Sequence, residues 1–185
     1  NMDGLAAGVS LIAAGFLTIQ LGAAGDPSRA VLASALTGAL AGFLCFNFPP
    51  ARLFMGDAGS LSVGLLLAGL SLSNDLVAGQ KLGALSVLVG PSLVLAIPIL
   101  DVLLVTITRV LRGQPISQGG RDHSSHRLIK MGLSERKTLF VFYALAAVSG
   151  LFGLQLAQGI GRLRAVFYVA LSWIPLGLFF AWLAR

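Results

Sequence analysis

Two short stretches hold most of the side chains in this sequence that are equipped for chemistry. The first, RLFMGDAGSLSVG, covers residues 52–64 and places Asp57 between Gly56 and Gly59 at the mouth of an apolar run. A carboxylate there suits a hard cation such as Mg²⁺, which proteins hold with one or two carboxylates plus substrate phosphates. Gly56 and Gly59 leave the backbone open to a ligand. The same aspartate also fits a helix N-cap, and the two roles are compatible. The second stretch, GGRDHSSHRL, covers residues 119–128 and sets His123 and His126 three apart, flanked by Arg121 and Arg127. In a helix the two histidines share a face. Imidazole and guanidinium together suit a diphosphate, to which Arg offers paired hydrogen bonds. A solvated basic loop beside anionic lipid headgroups fits equally well. Zinc fits less well, because two histidines without a third close ligand are an incomplete set.

Three other polar residues stand out against apolar surroundings. Asp3, in NMDGLAAG, opens the first apolar run and carries the same choice between cap and ligand. Asn47 precedes Phe48-Pro49-Pro50 and reads as a turn residue or a ligand contact. Asp101, in PILDVLL, lies roughly 10 Å inside an apolar run at 1.5 Å per residue. A charge within a membrane span costs about 2.5–3.5 kcal/mol or more, so a functional role is its default reading. The competing reading is a buried hydrogen bond to backbone or to a polar neighbour near Pro98.

Apolar runs must position these groups. The chain has 185 residues, 56% of them hydrophobic and 11% charged, against roughly 25% charged in soluble domains. The runs approach the ~20 residues that cross a hydrocarbon core. The expected fold is therefore all-α: a polytopic integral membrane protein of about six transmembrane helices in a single domain. The spans fall at about Leu5 to Gly22, Ala30 to Phe46, Ser60 to Leu76, Ala84 to Thr108, Thr138 to Ala157 and Ala165 to Leu183. The fourth is interrupted by Pro91 and Pro98, and the one long polar segment is the 109–137 loop. Small residues in LAAGVS (5–10) and LTGALAG (36–42) let helix backbones approach closely. The single Cys45 excludes an intrachain disulfide framework and a cysteine-rich metal site.

A net charge of +6 raises the possibility of nucleic-acid binding, but the charges lie between apolar runs and read instead as membrane orientation. Alternating spans group the N-terminus, the 47–59 loop, the 109–137 loop and the C-terminus on one side. That side holds nine basic residues (Arg52, Arg109, Arg112, Arg121, Arg127, Lys130, Arg136, Lys137, Arg185). The other holds four: Arg29, Lys81, Arg162 and Arg164. The first side is therefore expected to be cytoplasmic, in an inner (plasma) membrane. Asp3, Asp57, His123 and His126 all land there. So do the positive N-terminal ends of the first, third and fifth spans, a favourable setting for phosphates.

NMDGLAAGVS, NFPPARLFMGDAGSLSVG, PILDVLL and GGRDHSSHRL occur in an order and spacing that resembles the polyprenyl-phosphate N-acetylhexosamine-1-phosphate transferases. These form glycosyltransferase family 4 together with the phospho-N-acetylmuramoyl-pentapeptide transferases. The resemblance implies transfer of a sugar-1-phosphate from a UDP-sugar to membrane polyprenyl phosphate, with release of UMP, in cell-envelope glycan synthesis. It implies Mg²⁺, replaceable by Mn²⁺; a homodimer is a separate expectation. Asp57 then matches the family's metal-binding aspartate, Asp3 the last aspartate of an Asp-Gly-rich segment, and His123 and His126 two loop histidines. Asp57, Asp3, His123 and His126 form the expected catalytic set; Asn47, Arg121, Arg127, Gly56 and Gly59 form the substrate-binding set.

Two departures accompany the resemblance. The family's loop commonly reads His-x-His-His, and here Ser125 stands at the third of those positions. The family also carries an adjacent aspartate pair on an earlier span, and no Asp-Asp occurs here. The chain is thus expected to be the C-terminal part of such an enzyme, inactive by itself. The rival reading is a transporter or channel component with Asp101 as an intramembrane relay and Pro91 and Pro98 breaking the fourth span. A non-catalytic membrane scaffold is a third.

Overall fold

Turn chemistry sets the helix boundaries. Asp26 accepts the N–H of Arg29 at 3.1 Å, and Pro27 takes the first helical position, where its missing N–H costs nothing. The run of small and apolar residues that follows contains no interior proline and stays helical up to Asn47. A computed structural model of the chain describes residues 2–72, 92–117, 120, 122–157 and 162–184. Among them are seven helices: α1 (Leu5–Ala23), α2 (Pro27–Asn47), α3 (Gly56–Leu72), α4 (Ala96–Leu111), α5 (Ser124–Lys130), α6 (Glu135–Ala157) and α7 (Arg162–Leu183). A helix falls at each of the six expected spans, and α5 is a short addition within the polar loop. The start of the fourth span, with Pro91, lies outside the described residues. Pro98 sits in the first turn of α4, where no intrahelical N–H bond is lost; residues 92–94 are also helical, and the fourth span is interrupted between them at Leu95, the N-cap of α4.

The central element is α1. Val9 joins a core built with Ala96, Ile97 and Leu104 of α4, Leu128 of α5, Phe142 and Ala146 of α6, and Leu176 and Phe180 of α7. Ala13, Ala14, Leu17 and Leu21 join a second core with Ala33 and Leu40 of α2 and Leu67 and Leu70 of α3. Large apolar side chains cover the outside as well: Leu61, Leu65, Ile107, Leu111, Phe140, Phe167 and Leu178 are all exposed. Such a surface is unsuited to water and matches hydrocarbon, in which helices satisfy their own backbone groups. Leu5–Ala23, Pro27–Asn47 and Glu135–Gln155 are each long and apolar enough to cross a membrane, and Gly56–Leu72 and Phe167–Leu183 are shorter apolar helices. The protein is an all-α polytopic membrane protein.

The packing of α1 on α6 is reciprocal. Gly8 receives the ring of Tyr143, and Gly150 receives the ring of Phe16; a Cβ at Gly8 would meet Tyr143 at 2.1 Å, and one at Gly150 would meet Phe16 at 2.2 Å. Here the small residues of LAAGVS do what membrane packing asks of them. Those of LTGALAG do not: Gly38 and Gly42 face open space among the described residues, because α2 packs on α1 through Ala33 and Leu40 instead.

Two outcomes follow. Gly8→Ala and Gly150→Ala each overpack the interface and are expected to cost about 1–3 kcal/mol, seen as lowered thermal midpoints in detergent. Gly15→Ala, with nothing within 4 Å, serves as the tolerated control, and equal midpoints for all three would refute the interface. In a Cys45→Ala background, Gln114→Cys and Ala24→Cys are expected to be labelled from opposite sides of the membrane. Labelling of both from one side would break the topology.

Candidate functional site

Four segments meet at one end of the bundle. The Gly4 N–H donates to Asn47 Oδ1 at 3.0 Å, and Asn47 Nδ2 donates to the Leu53 carbonyl at 2.8 Å. The buried Asn47 amide thus ties the start of α1 to the loop that leaves α2. Gly4 has φ 74°, a left-handed conformation that suits glycine. Its carbonyl accepts the Tyr143 hydroxyl at 2.7 Å, so α6 holds the same turn from the other side. Asp3, next to it, accepts the Ala51 N–H on Oδ2 at 3.1 Å. Arg136, at the start of α6, donates to the Pro49 carbonyl at 3.2 Å. Asn47, expected as either a turn residue or a ligand contact, serves in the turn.

The braced loop ends at Gly56, whose φ of 65° again suits glycine. Asp57 follows within the first turn of α3, a position where a carboxylate complements the positive helix end. It is exposed, and its side chain makes no hydrogen bond or ion pair among the described residues. Space beside Gly56 is open, whereas a Cβ at Gly59 would meet Met55 Cγ at 2.7 Å. The bare face of Gly59 therefore takes up a neighbouring side chain. No group of three or more potential metal ligands occurs among the described residues. Asp57 alone still fits a Mg²⁺ ion completed by substrate phosphates.

The polar loop is organised by three charged side chains. Arg109, in the last turn of α4, donates from Nε and Nη2 to the two oxygens of Asp122 at 2.6 and 2.7 Å, and from Nη1 to the Ile116 carbonyl at 2.7 Å. This paired contact holds the Asp122 carboxyl down at about 2. Arg127 donates to the Asp122 carbonyl at 2.9 Å, the Leu183 carbonyl at 2.8 Å and Thr108 Oγ1 at 3.1 Å. It clamps the loop to α4 and to the end of α7, so all three of its nitrogens already serve the protein. Arg121 lies outside the described residues.

Asp101 completes the arrangement. Oδ2 lies 2.8 Å from His123 Nδ1, while Oδ1 accepts the Ser124 N–H at 2.8 Å and also the Ser124 hydroxyl. The carboxylate reaches out of α4 to cap the first turn of α5. Its hydrogen bond holds the His123 imidazole above its ordinary pKa, against a partial burial that works the other way. His123 is the N-cap of α5, with extended backbone at φ −61° and ψ 153°. His126 is the third residue of α5, so only one of the two histidines lies within the helix. His126 is half-buried, and Ser125, standing where the family commonly has histidine, is buried.

The structure thus gathers Asp101, His123 and Arg127 into one network and Asp3 with Asn47 into another, with Asp57 following the loop that the second network braces. Asp122, Ser124 and Arg109 are parts of the site that residue types alone did not flag. Asp122 was legible only as the carboxylate beside His123.

Residues 1–75 match the model of glycosyl transferase family 4. This stretch contains Asp3, Asn47 and Asp57. The chain is 36% identical over 148 residues to a probable undecaprenyl-phosphate N-acetylglucosaminyl 1-phosphate transferase of Bacillus subtilis, covering 80% of this chain and 40% of that protein. It is 35% identical over 173 residues to the decaprenyl-phosphate N-acetylglucosaminephosphotransferase of Mycobacterium tuberculosis, covering 82% and 43%. It is also 35% identical over 154 residues to a phospho-N-acetylmuramoyl-pentapeptide-transferase of Staphylococcus aureus, covering 83% and 45%. The chain spans less than half the length of these curated relatives. The similarities to all three extend past the family-model match into the helices that carry Asp101 and the histidine loop, and the chain belongs to glycosyl transferase family 4.

Proposed function

We propose that this chain carries part of the active site of an enzyme that moves an N-acetylhexosamine-type sugar-1-phosphate from a UDP-sugar to membrane polyprenyl phosphate, releasing UMP. The observation that carries the reading is the exposed carboxylate of Asp57, without a protein partner among the described residues, in the first turn of a membrane helix. It sits at the bundle end that also presents His123. The names of the relatives supply the polyprenyl-phosphate acceptor and the sugar-phosphate group; the UDP-sugar donor and the cytoplasmic orientation rest on the motifs and on the basic loops.

The chemistry follows from charge. A phosphate monoester has a second pKa near ~6 and is largely dianionic at neutral pH. The acceptor therefore needs little deprotonation, and the barrier is mainly one anion approaching another. Asp57 would hold Mg²⁺ (or Mn²⁺), which when bound supplies positive charge to the diphosphate. Asp3 fixes the loop leading to Asp57 through Ala51. His123 and His126 bring proton donors or acceptors to the phosphates, and the α3 N-terminus adds its own partial positive charge. Asp101 as an intramembrane relay has weaker support, because both of its oxygens are engaged by the loop.

The test is UMP release against Mg²⁺ concentration in the intact enzyme for wild type, Asp57→Asn and Asp57→Ala. Both variants are expected to fold with near-normal thermal midpoints and to lose transfer by roughly 10²-fold or more. His126→Ala is expected to impair transfer while leaving membrane insertion intact. A carboxylate serving only the helix dipole would cost about 0.3–1 kcal/mol of stability and no turnover. Wild-type turnover with an unchanged Mg²⁺ optimum in Asp57→Asn would remove Asp57 from the metal site.

A further inference from the structure

The contact between α4 and the histidine loop joins residues 22 positions apart. An ionised carboxylate only accepts hydrogen bonds. Oδ1 of Asp101 takes the Ser124 N–H and hydroxyl, which leaves Oδ2 to accept from the His123 ring. The proton of that contact therefore belongs on Nδ1. His123 Nε2 makes no hydrogen bond among the described residues, and the side chain is 30% exposed. Among the described residues, the neighbouring side-chain charges already have partners: Asp122 pairs with Arg109, and Arg127 donates to backbone carbonyls and Thr108.

We propose that Asp101 is a positioning residue for His123: it accepts the Nδ1–H, holds the imidazole in one orientation, and leaves Nε2 for a phosphate oxygen of the substrate. Capping α5 through Ser124 is the second half of the same device, since it fixes the backbone on which the ring is mounted. What Nε2 meets rests on the transferase reading above; the orientation and the tautomer do not.

Asp101→Asn keeps the size of the side chain and an oxygen for the Ser124 N–H. Its amide nitrogen can only donate, so it would force the ring proton from Nδ1 to Nε2. Two measurements on the intact protein test this. In ¹⁵N-histidine-labelled protein, with resonances identified by their loss in His123→Gln, the neutral His123 ring is expected to carry its proton on Nδ1 in wild type. In Asp101→Asn the proton is expected on Nε2. A wild-type ring protonated on Nε2 would overturn the proposal, and this arm stands even if Asp101→Asn fails to fold.

The second measurement is the pH–rate profile of UMP release. Asp101 favours the protonated ring, so its removal lowers the His123 pKa. The limb of the profile that vanishes in His123→Gln is expected to move to lower pH in Asp101→Asn. The maximal rate is expected to fall by about 10-fold or more, with a smaller change in KM for the UDP-sugar. An unmoved limb in a folded variant would reduce Asp101 to a structural cap. If the wild type itself releases no UMP, the transferase reading fails, while the tautomer measurement still decides the role of Asp101.

Discussion

A carboxylate set within an apolar helix must find partners inside the protein, and at Asp101 all of them come from the loop that follows. One oxygen takes the first N–H of α5 and the Ser124 hydroxyl, and the other takes the His123 ring. The polar segment between α4 and α6 therefore cannot drift out into water without stranding a charge in a low-dielectric setting. The rest of that end is arranged around this anchor. Arg109 holds Asp122 beside it, and Arg127 ties the same stretch to α4 and to the last turn of α7. A loop of mixed polarity becomes a fixed surface because its charges are used in pairs, each within reach of a helix end.

The other half of that end is held without an ion pair among the described residues, by side chains that bond to backbone groups. Asn47, Gly4, Tyr143 and Ala51 form a set of hydrogen bonds that joins the start of α1, the loop after α2 and the side of α6. Asp57 stands just past this brace and outside it. The contrast with Asp101 is physical. Two carboxylates in one small region of an apolar protein differ in that one is fully engaged and the other is exposed and uncommitted. The first can set geometry; the second can meet a cation. That division of labour fits a site in which the protein supplies orientation and the substrate supplies most of the negative charge.

Local pattern was enough to read the helices and to group the polar loops at one end. Apolar runs of near-spanning length need no tertiary information to be helical in hydrocarbon, and the position of Asp57 at a helix start was visible in its flanking glycines. The pairings were not visible. Asp101 with His123, Arg109 with Asp122, Gly4 with Asn47 and Arg127 with the Leu183 carbonyl join residues separated by 22, 13, 43 and 56 positions. Composition cannot distinguish a basic loop that waits for a diphosphate from one that first satisfies the protein's own carboxylates and carbonyls, and Arg127 belongs to the second kind. The outward-facing Gly38 and Gly42 show the same limit, since small residues permit close packing without requiring it.

Tyr143 serves the core and the site at once. Its ring fills the notch at Gly8, and its hydroxyl fastens the Gly4 carbonyl beside Asp3. The two ends of one side chain therefore bind two kinds of selection together. A lineage that enlarges residue 8 must also trim residue 143, and in doing so it releases the turn that carries Asp3. Evolutionary drift along this face of α1 is consequently confined to paired changes, a constraint that Gly38 and Gly42 of α2 do not share among the described residues.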